Sequence, residues 1–362
     1  MYKITRVGVD LAKSVLQVHA VDHSDSKVLN KPLKRDQFLP WCAQSLPPGC
    51  QIVLESTSGA HHWGRRLRAM GFAAQLIAPH LAAPYRQAGK HGKNDANDAA
   101  AVCEAAGRPK MRFVPIKSVE QQAVLAVHHY RQQLMHERTA YINQIRAALT
   151  EFGIVVPTNP DNLRAQLHDL LEDGSNEMNG LARLLLQRTY NHWIAIEEQV
   201  KWCDQQIQTH IAQDDKARKA QTLFGVGPLG ASAVSASVAD FTQFKNGPQF
   251  GAWLGLTPKQ HSSGGKAHLG SISKHGNTYL RTLLIQGAKS AVHNAHRRTD
   301  ALSKWIVQLK DRVGWQKAVV ALANKNARIL WAIMTKNIDY DPSFKSTKPN
   351  RIKPSPQPIA IA

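Results

Sequence analysis

The sequence predicts a mixed α/β protein in three parts: an N-terminal sheet covered by helices, a helical arm, and a mostly α-helical C-terminal part. Three observations predict it. Roughly the first hundred residues alternate short β-branched runs with helix-forming stretches, and that order gives a sheet with helices on its faces. From about Val119 the apolar residues recur every seven positions, the period of a long amphipathic helix. Beyond Thr222, Gly-rich turns separate further helical stretches.

Taken in order, Ile4–Val9 and Val15–Val21 read as strands joined by a tight turn over Asp10-Leu-Ala-Lys13. Gln51–Leu54 is a third short apolar run, 61–70 (HHWGRRLRAM) reads as a helix, and Ala73–Ile77 as a strand. The Ala-rich segment Ala96–Ala106 is a helix by propensity. In the arm, Val127, Leu134, Tyr141 and Ala148 mark the heptads, with Tyr130, Ile145 and Phe152 between them, until Gly153 and Pro157 end the helix. A second helical stretch runs from about Leu181 to Ile211. The two together predict an antiparallel, coiled-coil-like arm suited to oligomerisation.

In the C-terminal part, Leu223–Gly230 followed by Ala231–Val238 resembles the turn of a helix-hairpin-helix, in which backbone N–H groups at a helix start can meet a phosphate. A plain Gly-rich connection between helices reads the same way. Phe250–Leu256, a Ser/Gly-rich loop over His261–Gly265, a helix from about Asn277 to His293 and a last helix over about Ala318–Thr335 follow. The boundaries expected are 1–115, 116–215 and 216–340, with a disordered Pro-rich basic tail over 341–362.

The 362 residues are 43% hydrophobic, enough for sizeable cores, and carry a formal net charge of +20. Such a surface attracts polyanions, nucleic acid first and an anionic membrane second. No apolar run reaches the roughly 18 residues a membrane span needs, and the N-terminus lacks a signal-peptide pattern, so a cytoplasmic protein is expected. Cys42, Cys50, Cys103 and Cys203 have no zinc-ligand spacing and read as small core residues.

Four carboxylates stand out. Asp10 closes the run VGVD, Glu55 closes Gln51–Leu54, and Asp95 and Asp98 stand at i and i+3 at a helix start, on one face. All four can reach one pocket, and such hard oxygen donors suit Mg²⁺, with Mn²⁺ as a substitute. Two such ions assist in-line phosphoryl displacement. Two of the acids also have an ordinary reading: Asp95 as the helix cap, Asp10 as a turn residue.

The His261–Lys266 loop offers hydroxyls beside cations: Lys259, Lys266, Lys274 and Arg281 are placed to neutralise phosphate, as is Lys93 near the acids. Without a base or metal a serine is a weak nucleophile, and by itself this loop reads as a flexible connector. His61, His62, His91, His128, His129 and His275 read as phosphate or RNA contacts or solvent-facing groups. Trp63, Trp253 and Trp305 read as core residues before base-stacking ones.

The set VGVDLAK, VLESTSGAH, GKHGKNDANDA and FGAWLGLTPKQHSSGGKAHLGSISKHGNTYLRTLL resembles the DEDD transposases of bacterial insertion sequences, family one hundred and ten, eleven-eleven subgroup. The likeness runs in order over residues 4–335. It implies a RuvC-like (ribonuclease-H-like) N-terminal domain, a coiled-coil linker and a C-terminal transposase domain. It places the metal-binding acids on Asp10, Glu55, Asp95 and Asp98. The nucleophilic serine falls on Ser263 rather than Ser262, because Ser263 directly precedes Gly264. Lys93-Asn94-Asp95 stands where the family commonly has Lys-Thr-Asp, with the acid kept. The resemblance further implies an element-encoded guide (bridge) RNA pairing with donor and target DNA, a homodimer assembling to a tetramer, a nucleoid-associated enzyme, and a serine transiently joined to DNA.

Two other classes share these features. A metal-dependent endonuclease or Holliday-junction resolvase would use the acids without the serine. A non-catalytic nucleic-acid-binding scaffold would use neither.

Overall fold

The computed structural model describes residues 4–86, 94–263 and 266–343, and of residues 262, 263, 266 and 267 the backbone alone. Most of the expected tail (344–362) and Lys93 therefore lie outside the described residues. Two compact units divide the chain: everything before Asp214 together with Ser232–Gln243, and Asp214–Ala231 together with the residues from Phe244 onward.

In the first unit β1 (Arg6–Leu11), β2 (Val15–Val21) and β3 (Lys27–Lys34) form an antiparallel meander. Helix α1 (Phe38–Ser45) leads to β4 (Gln51–Glu55), parallel beside β1. Helix α2 (Ala60–Ala69) leads to β5 (Ala73–Ile77), parallel beside β4. The short α3 (Pro79–Ala82), α4 (Asp95–Ala106) and the brief β6 (Phe113–Val114) complete a six-stranded sheet of order β3-β2-β1-β4-β5-β6. Both faces are covered, which is why β4 reads as a continuous apolar run. Leu16, Val18, Ile52 and Leu54 pack on one face with Phe38 of α1 and Trp63 and Leu67 of α2. Val53 and Ile77 pack on the other with Val102 and Ala105 of α4.

Gly8 sets how closely α4 crosses β1. A Cβ at that position would stand 2.4 Å from the Ala99 carbonyl oxygen and 2.5 Å from the Cys103 nitrogen. Both are backbone atoms of a helix that cannot give way locally. Strand β3 and helix α1 are additions to the sequence reading. Pro32 lies within β3, tolerated because β3 is an edge of the sheet.

Helices α5 (Val119–Thr150) and α7 (Gly180–Gln213) run antiparallel, with α6 (Pro160–Glu172) between them in sequence. Arg131 pairs with Asp204 at 2.6 Å, Arg138 with Glu197 at 3.0 Å, and the Tyr141 ring meets His192. These half-exposed ion pairs contribute at most about 1 kcal/mol each and chiefly fix register. The buried seam of Leu134, Ile142, Ile145, Leu149, Leu186, Trp193 and Ile196 contributes more, on the order of 1.5–3 kcal/mol for each large side chain. Ser118 and Gln121 form a capping box at the start of α5.

The second unit contains α8 (Asp215–Gln221), the start of α9 (Pro228–Ser237), α10 (Gly247–Trp253), a hairpin of β7 (Pro258–Ser263) and β8 (Lys266–Ile272), then α11 (Thr278–Asn294), α12 (Ala301–Val313) and α13 (Trp315–Lys336). Helix α13 is its centre, burying Val319, Leu322, Ala323, Ala327 and Leu330 against α10 and α11. All four cysteines are buried and unpaired, and burial pushes the Cys42 thiol up to about 12. Among the described residues no helix is long and apolar enough to cross a membrane.

Candidate active site: an acidic cluster at the strand ends

Strands β1 and β4 run parallel with Val9 beside Leu54, so Asp10 and Glu55 are the next neighbours at their carboxyl ends. Side chains alternate between faces along a strand. Asp10 therefore shares the face of Gly8, which α4 crosses, and Glu55 shares the face of Val53, which packs on α4. The first turn of α4 carries Asp95 and Asp98: the charges of both act on the Asp10 carboxyl, and Asp98 shares Arg86 with Glu55. Asn94 caps that helix, its side-chain oxygen accepting from the Asn97 N–H at 2.8 Å. The cap reading of Asp95 is thereby corrected: Asn94 does that work. Glu55 and Asp98 are each only 7% exposed.

Burial, and then the charges of Asp95 and Asp98, raise the Asp10 carboxyl above its ordinary range, with Arg86 pulling the other way. Carboxylates close enough to do this repel one another, and the chain supplies a counter-ion. Arg86 Nε donates to Asp98 Oδ1 at 2.5 Å, and Arg86 Nη2 lies 3.9 Å from Glu55 Oε1. Among the described residues no group of three or more His, Cys, Asp or Glu side chains is arranged to enclose a metal ion. The donor set nevertheless fits a hard divalent cation: every acid is an oxygen donor, and a guanidinium already stands as the cation between two of them.

Two family models match the chain, a DEDD transposase model of IS110 type over residues 7–154 and the transposase IS116/IS110/IS902 family over residues 217–303. A probable family 20 transposase of Pseudomonas aeruginosa is 43% identical over 355 residues, covering 94% of this chain and 99% of that one. The transposase of insertion element IS1111A of Coxiella burnetii is 39% identical over 340 residues, 94% of this chain and 92% of its own. That of IS1328 of Yersinia enterocolitica is 34% identical, covering 92% and 98%. The chain belongs to the IS110/IS116/IS902 family of DEDD transposases. Such an enzyme cleaves and recombines DNA, and the family is in general divalent-metal dependent.

In this transposase the Ser/Gly-rich segment is a β-hairpin rather than a loop, with Ser263 paired to Lys266 across Gly264 and Gly265, which lie outside the described residues. So do the side chains of Ser262, Ser263 and Lys266. Gly276 fixes the hairpin's base, since a Cβ there would stand 1.8 Å from the Trp253 carbonyl oxygen. Lys259 and Lys274 are exposed. Arg281 is not: at 9% exposure its guanidinium donates to the carbonyls of Leu254 and His275 and to Thr278 Oγ1. It ties the hairpin's base together from inside, which corrects its reading as a nucleic-acid contact.

Two histidines also depart from the surface roles expected. His61 Nδ1 accepts from the Lys117 backbone N–H at 3.1 Å, and burial with the Lys117 and Arg65 charges lowers it to about 4. His128 is wholly buried, its Nε2 2.9 Å from Ser232 Oγ. Trp63 is a core residue and Trp253 stacks on Phe250, as expected, while Trp305 lies beneath the Lys325 ammonium. Nothing in the sequence singles out Arg86, one arginine among 46 basic residues.

Proposed function

We propose that this transposase exchanges DNA strands with Mg²⁺ (or Mn²⁺) bound by Asp10, Glu55, Asp95 and Asp98 and with Ser263 as nucleophile. The observation that carries the reading is the convergence of two strand-end carboxylates and the acidic first turn of α4, offset by Arg86. The ion, when bound, supplies charge stabilisation for phosphoryl transfer. Asp10 and Glu55 hold it from the sheet and Asp95 and Asp98 from the helix. Ser263 Oγ attacks a DNA phosphorus, an Oγ–P bond forms as the bridging P–O bond breaks, and the serine proton is released to solvent. The departing deoxyribose oxygen takes up a proton. Attack by the hydroxyl of another strand reverses these steps, so the phosphodiester is conserved.

The acids and Ser263 belong to separate compact units, and we assign Ser263 to the acidic site of a partner protomer. The arm (116–215) supports that assembly: Leu181, Leu184, Leu185 and Trp202 of α7 are exposed, as an unpartnered coiled-coil flank would be. We take that assembly to be a dimer assembling to a tetramer, as the family resemblance implies. Residues 1–115 then form the RuvC-like metal-binding domain and 216–340 the serine-carrying domain. There the turn through Gly225 and Gly227 into α9 acts as a helix-hairpin-helix on the nucleic-acid backbone, with Arg298 over Phe224 at its side. Lys259, Lys266 and Lys274 neutralise phosphate near the serine, and Lys93 near the acids. The +20 charge suits a guide RNA together with donor and target duplexes, in a nucleoid-associated enzyme of the cytoplasm.

The test is strand exchange by wild type, Ser263→Ala and Asp10→Ala, with denaturing gels for a protein–DNA adduct and sequencing of co-purifying RNA. An adduct lost in Ser263→Ala and one enriched RNA encoded beside the gene are expected. Cleavage surviving Ser263→Ala would favour the metal-dependent endonuclease or resolvase, and full activity in Asp10→Ala would overturn both enzymatic readings.

A further inference from the structure

We propose that Asn30 and Gln17 are positioning residues that lock the first turn of α4, and with it Asp95 and Asp98, against Asp10. The inference rests on the metal-binding reading of the four acids. It begins with register. Asp10 stands opposite Gln17, Gly8 opposite His19, and His19 opposite Asn30. Directly opposed residues in an antiparallel pair share a face, so Gln17 and Asn30 lie on the side of the sheet that α4 crosses, in line with Asp10.

Their side chains form a relay from strand to strand to helix. Gln17 Nε2 donates to Asn30 Oδ1 at 2.6 Å, and Asn30 Nδ2 donates to the Ala96 carbonyl oxygen at 3.1 Å. Ala96 sits between Asp95 and Asp98 in the first turn of α4. The Gly8 contact holds α4 further along, at Ala99 and Cys103. It leaves the rotation and tilt of the first turn to contacts nearer its start, which are Arg86 at Asp98 and the relay at Ala96. The middle position needs a group that accepts on one side and donates on the other in one plane, which a carboxamide provides and a carboxylate or aliphatic chain does not. Gln17 holds that amide in the orientation that turns its NH₂ toward Ala96.

A small rotation of α4 would move two of four oxygen donors relative to the other two, and divalent-ion sites are sensitive to donor placement. The relay should therefore be read in metal binding and in the chemical step rather than in DNA binding.

The experiment uses the full-length protein and the variants Asn30→Leu, Gln17→Leu, the double variant, Asp10→Asn and Glu55→Gln. Mn²⁺ binding is followed by electron paramagnetic resonance without DNA. DNA cleavage is then measured as kcat and KM, with melting temperature as a check on folding. Asn30→Leu is expected to weaken Mn²⁺ binding about tenfold and lower kcat about tenfold, with KM for DNA unchanged and raised Mg²⁺ restoring the rate. Gln17→Leu should give a smaller loss. The double variant should lose no more than Asn30→Leu alone, because Gln17 acts through Asn30. If Asn30→Leu is too unstable to assay, Gln17→Leu carries the same test. Wild-type Mn²⁺ affinity and kcat in the folded relay variants, while Asp10→Asn and Glu55→Gln abolish both, would overturn the relay and leave the metal reading standing. Normal Mn²⁺ binding in Asp10→Asn and Glu55→Gln would instead overturn the metal reading itself.

Discussion

Arg86 Nε lies 2.5 Å from Asp98 Oδ1 while Arg86 Nη2 faces Glu55 Oε1 at 3.9 Å, so one guanidinium serves two buried carboxylates. On the proposed metal-binding reading, an incoming divalent ion would compete with it for the same oxygens. Arg86→Ala should therefore bind Mn²⁺ more tightly, by about tenfold, which corresponds to about 1.4 kcal/mol. Arg86→Lys should fall between, since an ammonium lacks the planar fork. Titration of the DNA-free protein, followed by paramagnetic resonance, measures both. Weaker binding in Arg86→Ala would show that the arginine organises the acids rather than occupying their cation site.

Asp10 carries an electrostatic cost that the proposed metal-binding role would explain. Its carboxyl is raised above the usual range, first by burial and then by Asp95 and Asp98. A folded pKa above the unfolded value means that folding favours the protonated acid. Asp10 therefore lowers stability progressively as pH rises through the interval between the unfolded and folded values, and the deficit is complete above the folded value. Asp10→Asn removes the charge and keeps the shape. The variant should melt higher than wild type near pH 7, converge with it in acid, and lose DNA cleavage by at least about a thousandfold, on the order of 4 kcal/mol of transition-state stabilisation. Calorimetry across pH beside a cleavage assay tests this, and a lower melting temperature at neutral pH would count against the electrostatic account.

Much of this site was legible because its signals are local. VGVD and VLE end apolar runs in acids, and Asp95 and Asp98 keep helical spacing. Strand β3 was not legible, since KVLNKPLK carries lysines, an asparagine and Pro32 and lies at the sheet edge, where hydrophobic alternation is weak. Asn30 was lost with it, as only the cross-strand register brings it to α4. The β7–β8 hairpin read as a loop for a related reason. The residues His261, His268 and Leu269 are exposed, so no buried face imposes a period of two. Arg281 looked like a surface cation because nothing local shows that its three acceptors lie on two chain segments brought together only in the fold.

Gly8 should be as intolerant as an acid, for a packing reason. Gly8→Ala sets a methyl 2.4 Å from the Ala99 carbonyl oxygen and 2.5 Å from the Cys103 nitrogen, and α4 must shift off β1. Overpacking of this kind costs about 1–3 kcal/mol. The variant is expected to unfold at lower urea and to lose cleavage beyond what its folded fraction explains, because the displaced helix carries Asp95 and Asp98. Wild-type urea stability would show that the sheet accommodates the methyl.

Acid should destabilise the first unit through His128. The side chain is wholly buried in α5. Burial, then the neighbouring charges of His210 and His129, lowers it to about 4 from the ordinary 6.5. Ser232 Oγ lies 2.9 Å from both His128 Nε2 and His210 Nδ1. One hydroxyl proton serves one of them, so the other ring must donate to the oxygen. Because the folded pKa lies below the unfolded one, this stability is fully present above about pH 6.5 and is lost as pH falls toward 4. For a single such group the loss reaches about 2 kcal/mol by pH 5. His61, also lowered to about 4, adds a second loss of the same sign. The variant His128→Gln keeps a polar group beside Ser232 but does not titrate. Urea unfolding at pH 7.5 and pH 5 should show a smaller acid penalty in His128→Gln than in wild type, by about 2 kcal/mol. Equal penalties in the two proteins would mean that the acid sensitivity lies with His61 and the α2 contact rather than with the polar clamp on α5.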